Sequence, residues 1–491
     1  MEKTFQDYLD ETGEVGSISS IVQSIVYVSG LPGVRPKEMV IGQGGQRGIV
    51  QSLEAGLAEV LMLDTFDLTS NLKIARTNET FTIPAGEGLL GRVVDPFGRP
   101  IDGQGPIPGL KVNQSIEPET PGITSRVRVG RPIETGVTII DLLVPIGYGQ
   151  RELVIGDKKT GKTTFLLQTM ANQSQKGVVC IYVSIGKRQD DVKNIENYLR
   201  RKNVFKNCMI ISANAADPAT MVYLVPYAGM AVAEYFRDSG RDTLIIFDDL
   251  TNHAKFYREI SLLLERAPGR SSYPGDIFHI HATLLERAGN VKIHNSSSSV
   301  SITALPVAET LEGDLTGYIQ TNLMSITDGH IFFDIDEFRK GVRPAINPGL
   351  SVSRVGNQTK QPIDRHLSQL IREDLSRYER SQDIAKFGVE LPEKTRLEIE
   401  LGEKIGVIFN QDADTIVNRG LQLILLGLLF SGFWQGKNSN IVKVDVIKIL
   451  QKYLKGDLKA METEVLAAKA VEDLGALVKK YTTKLSEAMY V

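Results

Sequence analysis

The chain has 491 residues, room for about three domains at roughly 150 residues each. Hydrophobic residues make up 42% and charged residues 23%, an ordinary globular balance that excludes disordered, collagenous and coiled-coil classes. Lys plus Arg total 56 against 59 for Asp plus Glu, a formal charge of -3, so the overall field offers nucleic acid or anionic lipid no strong attraction.

The first residues, Met1 to Asp7, lack the apolar core of a signal peptide, and the early acids Glu2, Asp7, Asp10 and Glu11 oppose a transit peptide. From Val15 to Thr82, short apolar segments such as Ile18 to Val28 are separated by turn signals at Gly30, Pro32-Gly33, Gly44-Gly45 and Gly56. That spacing predicts a small β-barrel within residues 1–85.

Residues 86–360 follow another pattern. Apolar runs at Leu153–Ile155, Val178–Ile185, Met209–Ile211, Leu244–Phe247, Ser301–Leu305 and Ile331–Phe333 alternate with segments of helical period. Such alternation predicts βαβ units and a mostly parallel sheet, an α/β domain. The two cysteines are Cys180 and Cys208, and Cys180 inside its apolar run reads as a buried strand thiol. The run Ser296–Ser299 before the strand at Ser301 reads as a loop. Residues 361–491 show only amphipathic stretches, among them Arg365 to Gly388 and Val444 to Tyr453, which predicts a helical domain. Its most apolar stretch, Leu421 to Phe430, falls short of the roughly twenty residues that span a bilayer and reads as a buried core helix.

The decisive motif is Gly156-Asp157-Lys158-Lys159-Thr160-Gly161-Lys162-Thr163, a complete G-x-x-x-x-G-K-[ST] between an apolar strand and the helical segment opened by Thr164. Its glycines let backbone N–H groups face phosphates, Lys162 reaches the β/γ oxygens, and Thr163 is placed to ligate Mg²⁺. A P-loop of this kind needs a carboxylate at the end of a buried strand, and Asp248 after Leu244–Phe247 supplies it as the expected acid on the Mg²⁺ side, reaching the ion through water. The plainer alternative is that Asp248 and Asp249 together cap the helix that follows.

These residues, together with further blocks, resemble the α and β subunits of F-type ATP synthases. The blocks include Gly88–Asp95, Gly149–Leu153, Pro268–Arg270, Leu284–Ala288, Thr303–Val307 and Pro344–Arg354. Tyr273–Asp276 and Val352–Gly356 resemble the α subunit in particular. The resemblance implies a β-barrel, a P-loop nucleotide domain and a helical domain. It further implies ATP or ADP with Mg²⁺ as ligands, and an alternating three-plus-three ring with β-type catalytic chains around a γ-type shaft. It places the chain on the cytoplasmic side of an energy-coupling membrane, held there through partner subunits only.

A catalytic β-type chain carries Gly-Glu-Arg where this chain has Gly186-Lys187-Arg188. That glutamate activates the attacking water, and a lysine cannot accept its proton at neutral pH. The chain's own site is therefore expected to bind nucleotide and scarcely hydrolyse it. Typical α chains have Gln there, so Lys187 departs from both patterns. Asp190 and Asp191 read as the start of the next helix.

By the same resemblance, Arg354 is the arginine that reaches the neighbouring catalytic site, and Ser325 lies at that interface. Gln411 corresponds to a residue lining the adenine pocket. Ordinary α chains place a longer helix before the barrel, so docking to a standard peripheral stalk is left open. Lys158-Lys159 and the C-terminal helices also depart from the usual pattern, which suggests a divergent α subunit or the α-like subunit of a specialised hydrolysing rotary motor. A catalytic secretion or flagellar ATPase would need a carboxylate at position 187. A Rho-like translocase would need a basic, aromatic nucleic-acid module that is not seen here. His279 and His281 fall on a predicted helix over Asp276 to Ala288, where i and i+2 point apart and do not share a metal. Lys455, Lys459, Lys479, Lys480 and Lys484, spread among acids, read as a solvated face.

Overall fold

The computed structural model describes residues 3–54, 56–110, 112–293, 298–386 and 391–490. Met1, Glu2, Ser296, Ser297, Gly388 and the side chain of Lys484, read above from sequence, lie outside the described residues. The chain divides into two compact units. One comprises Met1–Val127, Gly177–Glu309 and Leu315–Thr327, and the other Arg128–Lys176, Thr310–Asp314 and Asp328–Val491.

In the first unit, a helix at Phe5–Thr12 opens on a capping box between Thr4 and Asp7. Six antiparallel strands follow: Val15–Val22, Ile25–Ser29, Glu38–Gly42, Arg47–Glu54, Leu57–Met62 and Lys73–Thr80. They close into a barrel when the first pairs with the last through Val15–Ala75 and Gly16–Ile74. Alternation along each strand sends Ile18, Val28, Val40, Val50, Val60 and Ile74 into the core. Each such burial stabilises by about 1.5–3 kcal/mol relative to exposure. Arg76 fastens the barrel by donating from Nε to Glu38 at 2.7 Å and from Nη1 to Glu14 at 3.0 Å.

The same unit holds a parallel array in the order Ser299–Glu309, Thr243–Asp248, Val179–Lys187, Cys208–Asn214, Val93–Val94. Gly289–Lys292 is added antiparallel to Ser299–Glu309. Both faces of the central strands are covered, which explains why they read as continuous apolar runs instead of alternating ones. The helices Ala219–Asp238 and Leu250–Leu263 pack against the strand Val179–Lys187. A buried fork joins the helix Ala219–Asp238 to the end of the helix Ile277–Glu286: Arg287 Nη2 donates to Glu234 Oε2 at 2.6 Å and Nε to Oε1 at 3.1 Å. Cys180 and Cys208 are register partners on adjacent strands, both buried and neither in a disulfide.

In the second unit, Glu152–Gly156 runs parallel to Gly329–Phe333, which pairs antiparallel with Val352–Ser353. Six helices follow: Pro362–Lys386, Glu393–Phe409, Arg419–Phe430, Ser439–Leu454, Lys459–Leu466 and Val471–Tyr490. In Arg419–Phe430 every residue from Gly420 to Leu429 is buried, and Asn418 caps its first turn by accepting from Leu421 N at 3.2 Å. Trp434, 1% exposed, donates its indole N–H to Asp445 at 3.1 Å. No helix among the described residues is long and apolar enough to cross a membrane.

The three-part class read from sequence is thus found: barrel, α/β region and helical region. One local reading is corrected. Ser299 belongs to the strand and pairs with Lys292, because the β-rich run from Val300 extends one residue back to complete the hairpin with Gly289–Lys292.

Candidate nucleotide site and interface arginine

The P-loop of the second unit leaves the strand Glu152–Gly156 and enters the helix Lys162–Gln175. A Cβ at Gly156 would lie 2.3 Å from the carbonyl oxygen of Phe333 on the neighbouring strand, so glycine is required for the loop to pass. Gly161 precedes the helix with φ 104°. Asp157 anchors the loop: its Oδ1 accepts from the Thr310 hydroxyl and from Gly313 N at 3.0 Å. Thr160 Oγ1 donates back to Asp157 O at 2.7 Å. Lys162 is buried, with Nζ donating to the carbonyls of Gly156 at 2.7 Å and Asp157 at 2.6 Å. Lys158, Lys159, Thr163 and Thr164 are exposed around the same turn. Lysines, outward N–H groups and a positive helix end make this an anion cradle, and Thr163 presents a hydroxyl suited to a phosphate-bound Mg²⁺.

The strand-end carboxylate belongs to the first unit. Asp248 ends Thr243–Asp248 and is 2% exposed. Its Oδ1 receives the ammonium of Lys187 at 2.8 Å, and its Oδ2 accepts the hydroxyl hydrogen of Tyr182. Asp249 plays the capping part, accepting from Asn252 N at 2.6 Å at the start of Leu250–Leu263. Burial first, then the Asp248 and Glu309 carboxylates, push Asp249 up to about 7. Burial disfavours the Lys187 ammonium, yet Asp248 and Asp249 outweigh it and raise the amine above its ordinary range. Burial, with the Asp248 charge, likewise holds the proton on Tyr182.

Gly186 explains how Lys187 arrives there. The register between Val179–Lys187 and Cys208–Asn214 slips between Ile185 and Lys187, a bulge whose extra residue is Gly186 at φ 62°. Bulges re-aim the side chain that follows. Asp190 and Asp191 lie in the first turn of Gln189–Arg201, as their sequence suggested.

Arg354, in the second unit, is exposed. Its backbone N–H donates to Asp328 O at 3.1 Å, and Asp328 is clasped by Arg151, with Nη2 at 2.8 Å from Oδ1. Among the described residues the Arg354 guanidinium has no hydrogen bond or ion pair, so its charge is fixed at the root and open at the tip. Ser325, in the first unit, is exposed and donates to Thr321 O at 2.8 Å. Gln411 is buried, and its amide is committed within the second unit: Nε2 to Gly136 O at 2.6 Å, Oε1 from Thr138 N at 3.2 Å.

His281 is buried against His253, with 3.1 Å between ring nitrogens, whereas His279 on the same helix is exposed, so the two diverge as their spacing required. Sequence reasoning missed Tyr182, Thr310 and the steering by Gly186. Only Gly186, a glycine closing a long apolar strand, left a visible signal.

A family model described as the ATP synthase alpha/beta family, nucleotide-binding domain, matches residues 136–353. The chain is 39% identical over 475 residues to ATP synthase subunit alpha of Helicobacter acinonychis, covering 96% of this chain and 93% of that one. It is 42% identical over 420 residues to ATP synthase subunit alpha of Macrococcus caseolyticus, covering 85% and 83%. To ATP synthase subunit alpha of Lactobacillus delbrueckii subsp. bulgaricus it is 39% identical over 486 residues, covering 99% and 94%.

Proposed function

Since the chain belongs to the ATP synthase alpha/beta family and is similar to alpha subunits along nearly its whole length, we propose that it is the nucleotide-binding, largely non-catalytic alpha-type subunit of a rotary ATPase. It alternates with catalytic beta-type chains around a gamma-type shaft and attaches to the membrane peripherally, through those partners. The observation that carries this reading is Lys187. A catalytic site needs a base to orient and deprotonate water, and the side chain at that place is an ammonium held at 2.8 Å by Asp248.

In this reading ATP or ADP lies on the P-loop, its phosphates met by the N–H groups of 157–163 and by Lys162, which exchanges its carbonyl partners for phosphate oxygens. Thr163 would hold Mg²⁺, which would neutralise phosphate charge, and Asp248 is the carboxylate that the resemblance assigns to the ion. Arg354 acts in trans on the neighbouring catalytic site, where an unpaired guanidinium neutralises charge developing on the γ-phosphate. Ser325 belongs to the same subunit boundary. Gln411 acts indirectly, by holding the 136–138 turn against 411–415.

The full chain alone should bind ATP and turn it over at no more than about a hundredth of the rate of the assembled complex, consistent with loss of a general base. Brisk turnover by the isolated chain would overturn the non-catalytic assignment.

A further inference from the structure

Glu152 opens the strand that leads into the P-loop, and it is fully buried. Its Oε2 accepts from the Gln150 amide at 2.5 Å, and its Oε1 has no hydrogen-bond partner among the described residues. A buried carboxylate without a cation is costly enough that the group takes up a proton instead. Burial accordingly pushes the Glu152 acid well above its ordinary range, against the Gln150 amide, which favours the charged form. In a strand that continues as Leu153, Val154 and Ile155, an apolar side chain would fill this place at least as stably.

What the carboxyl reaches is the root of Arg354. Register sets Glu152 opposite Gly329, and Gly329 opposite Ser353, the residue before Arg354. The carboxyl lies across Gly329, where a Cβ would come within 2.7 Å of Oε2 and 2.8 Å of Oε1. The Gln150 amide also donates to Ser353 Oγ at 3.2 Å, while its carbonyl accepts from Gly147 N at 2.8 Å and so fixes which way the amide faces. Ser353 Oγ in turn donates to Pro145 O at 2.6 Å, a contact for which Gly356 leaves room, since a Cβ there would sit 1.7 Å from that carbonyl. The strand Val352–Ser353 is only two residues long, so this bridge does much to set its place.

From this geometry we propose that Glu152 is a positioning residue for Arg354: through Gln150 and Ser353 it fixes where the guanidinium leaves the surface. The inference rests on the reading that Arg354 acts in trans, and it adds the residue that aims it. Glu152 works as an uncharged acceptor, holding the Gln150 amide so that its other hydrogen meets Ser353. On the far flank the Arg354 N–H donates to Asp328 O, so the root is held from both sides while the tip stays open. A misplacement of about 1 Å in such a group can cost about a hundredfold in rate.

The test is ATP hydrolysis by the complex assembled with the beta-type partner. Glu152→Leu should lower kcat at least about tenfold and change KM by less than about twofold, the mark of an interaction made in the transition state. Glu152→Gln keeps an uncharged acceptor in the same place and should recover most of that loss. A merely structural role would leave the loss intact in an Arg354→Ala background. Here Glu152→Leu should change the residual kcat of Arg354→Ala by less than about twofold, because a residue that acts only through Arg354 has nothing left to aim. A tenfold loss that persists in the Arg354→Ala background overturns the inference and leaves the action of Arg354 in trans intact. So does an undiminished kcat in Glu152→Leu, a loss confined to KM, or Glu152→Gln as impaired as Glu152→Leu. Undiminished hydrolysis in Arg354→Ala alone overturns the trans reading itself. If Glu152→Leu does not assemble, Ser353→Ala, which deletes one oxygen at the other end of the bridge, decides by the same criteria.

Discussion

The ammonium of Lys187 and the carboxylate of Asp248 face each other at 2.8 Å across adjacent parallel strands, in a place where Lys187 is 20% exposed and Asp248 3% at the side chain. Removing one member of such a pair leaves the other buried and uncompensated, which costs about 3–5 kcal/mol when burial is complete. Lys187→Ala should therefore destabilise the chain by roughly 2–3 kcal/mol, since the lysine retains some solvent. Denaturant unfolding at neutral pH measures this.

Gly186 is the hinge of that arrangement. Its left-handed φ of 62° and its closeness to Phe256 mean that Gly186→Ala meets both backbone strain and a clash. A loss of about 1–3 kcal/mol is expected by denaturant unfolding.

At the P-loop, Gly156→Ala would force Cβ to 2.3 Å from the backbone of Phe333, which is not a flexible neighbour. Loop and strand must separate, so ATP affinity should fall at least about tenfold, equivalent to 1.4 kcal/mol of displaced donors. Lys162→Ala should weaken ATP to a similar or greater extent while folding normally. Calorimetric titration of ATP reads both.

The pair His253 and His281 gives the chain a pH signature. Burial lowers His253 to about 4, despite a contact with Tyr223 O that favours its charged form, and burial drives His281 well below its ordinary value. Between about 6.5 and 4 the unfolded chain takes up a proton that folded His253 refuses. Stability should accordingly fall as pH falls through this window, by about 3 kcal/mol from His253, with a further loss from His281, whose folded ring resists the proton to lower pH. Melting temperatures across pH 7 to 4 should show this slope, and His253→Gln should flatten it.

Much of the architecture was legible in the chain. The strand runs ending at Asp248 and Lys187 are long and apolar because both sheet faces are covered. The P-loop is a contiguous motif whose glycines have local steric duties. What sequence could not deliver is non-local. That Tyr182 would share Asp248 with Lys187 depends on register, with Ser184 opposite Asp248, and on a one-residue bulge. That Asp157 would anchor Thr310 and Gly313 depends on a contact across more than a hundred and fifty residues. The split between Asp248 and Asp249, one in an ion pair and one capping a helix, is fixed by side-chain direction, which a dipeptide does not encode.

The central claim is that this chain completes a neighbour's active site while its own lacks a base. The most direct test is ATP hydrolysis by the assembled complex of this chain with its beta-type partner, comparing wild type with Arg354→Ala. Because the Arg354 guanidinium has no hydrogen bond or ion pair among the described residues, the substitution should change stability by less than about 0.5 kcal/mol. Hydrolysis should nonetheless fall by about 10³ to 10⁵. Assembly with undiminished hydrolysis in Arg354→Ala would contradict the account.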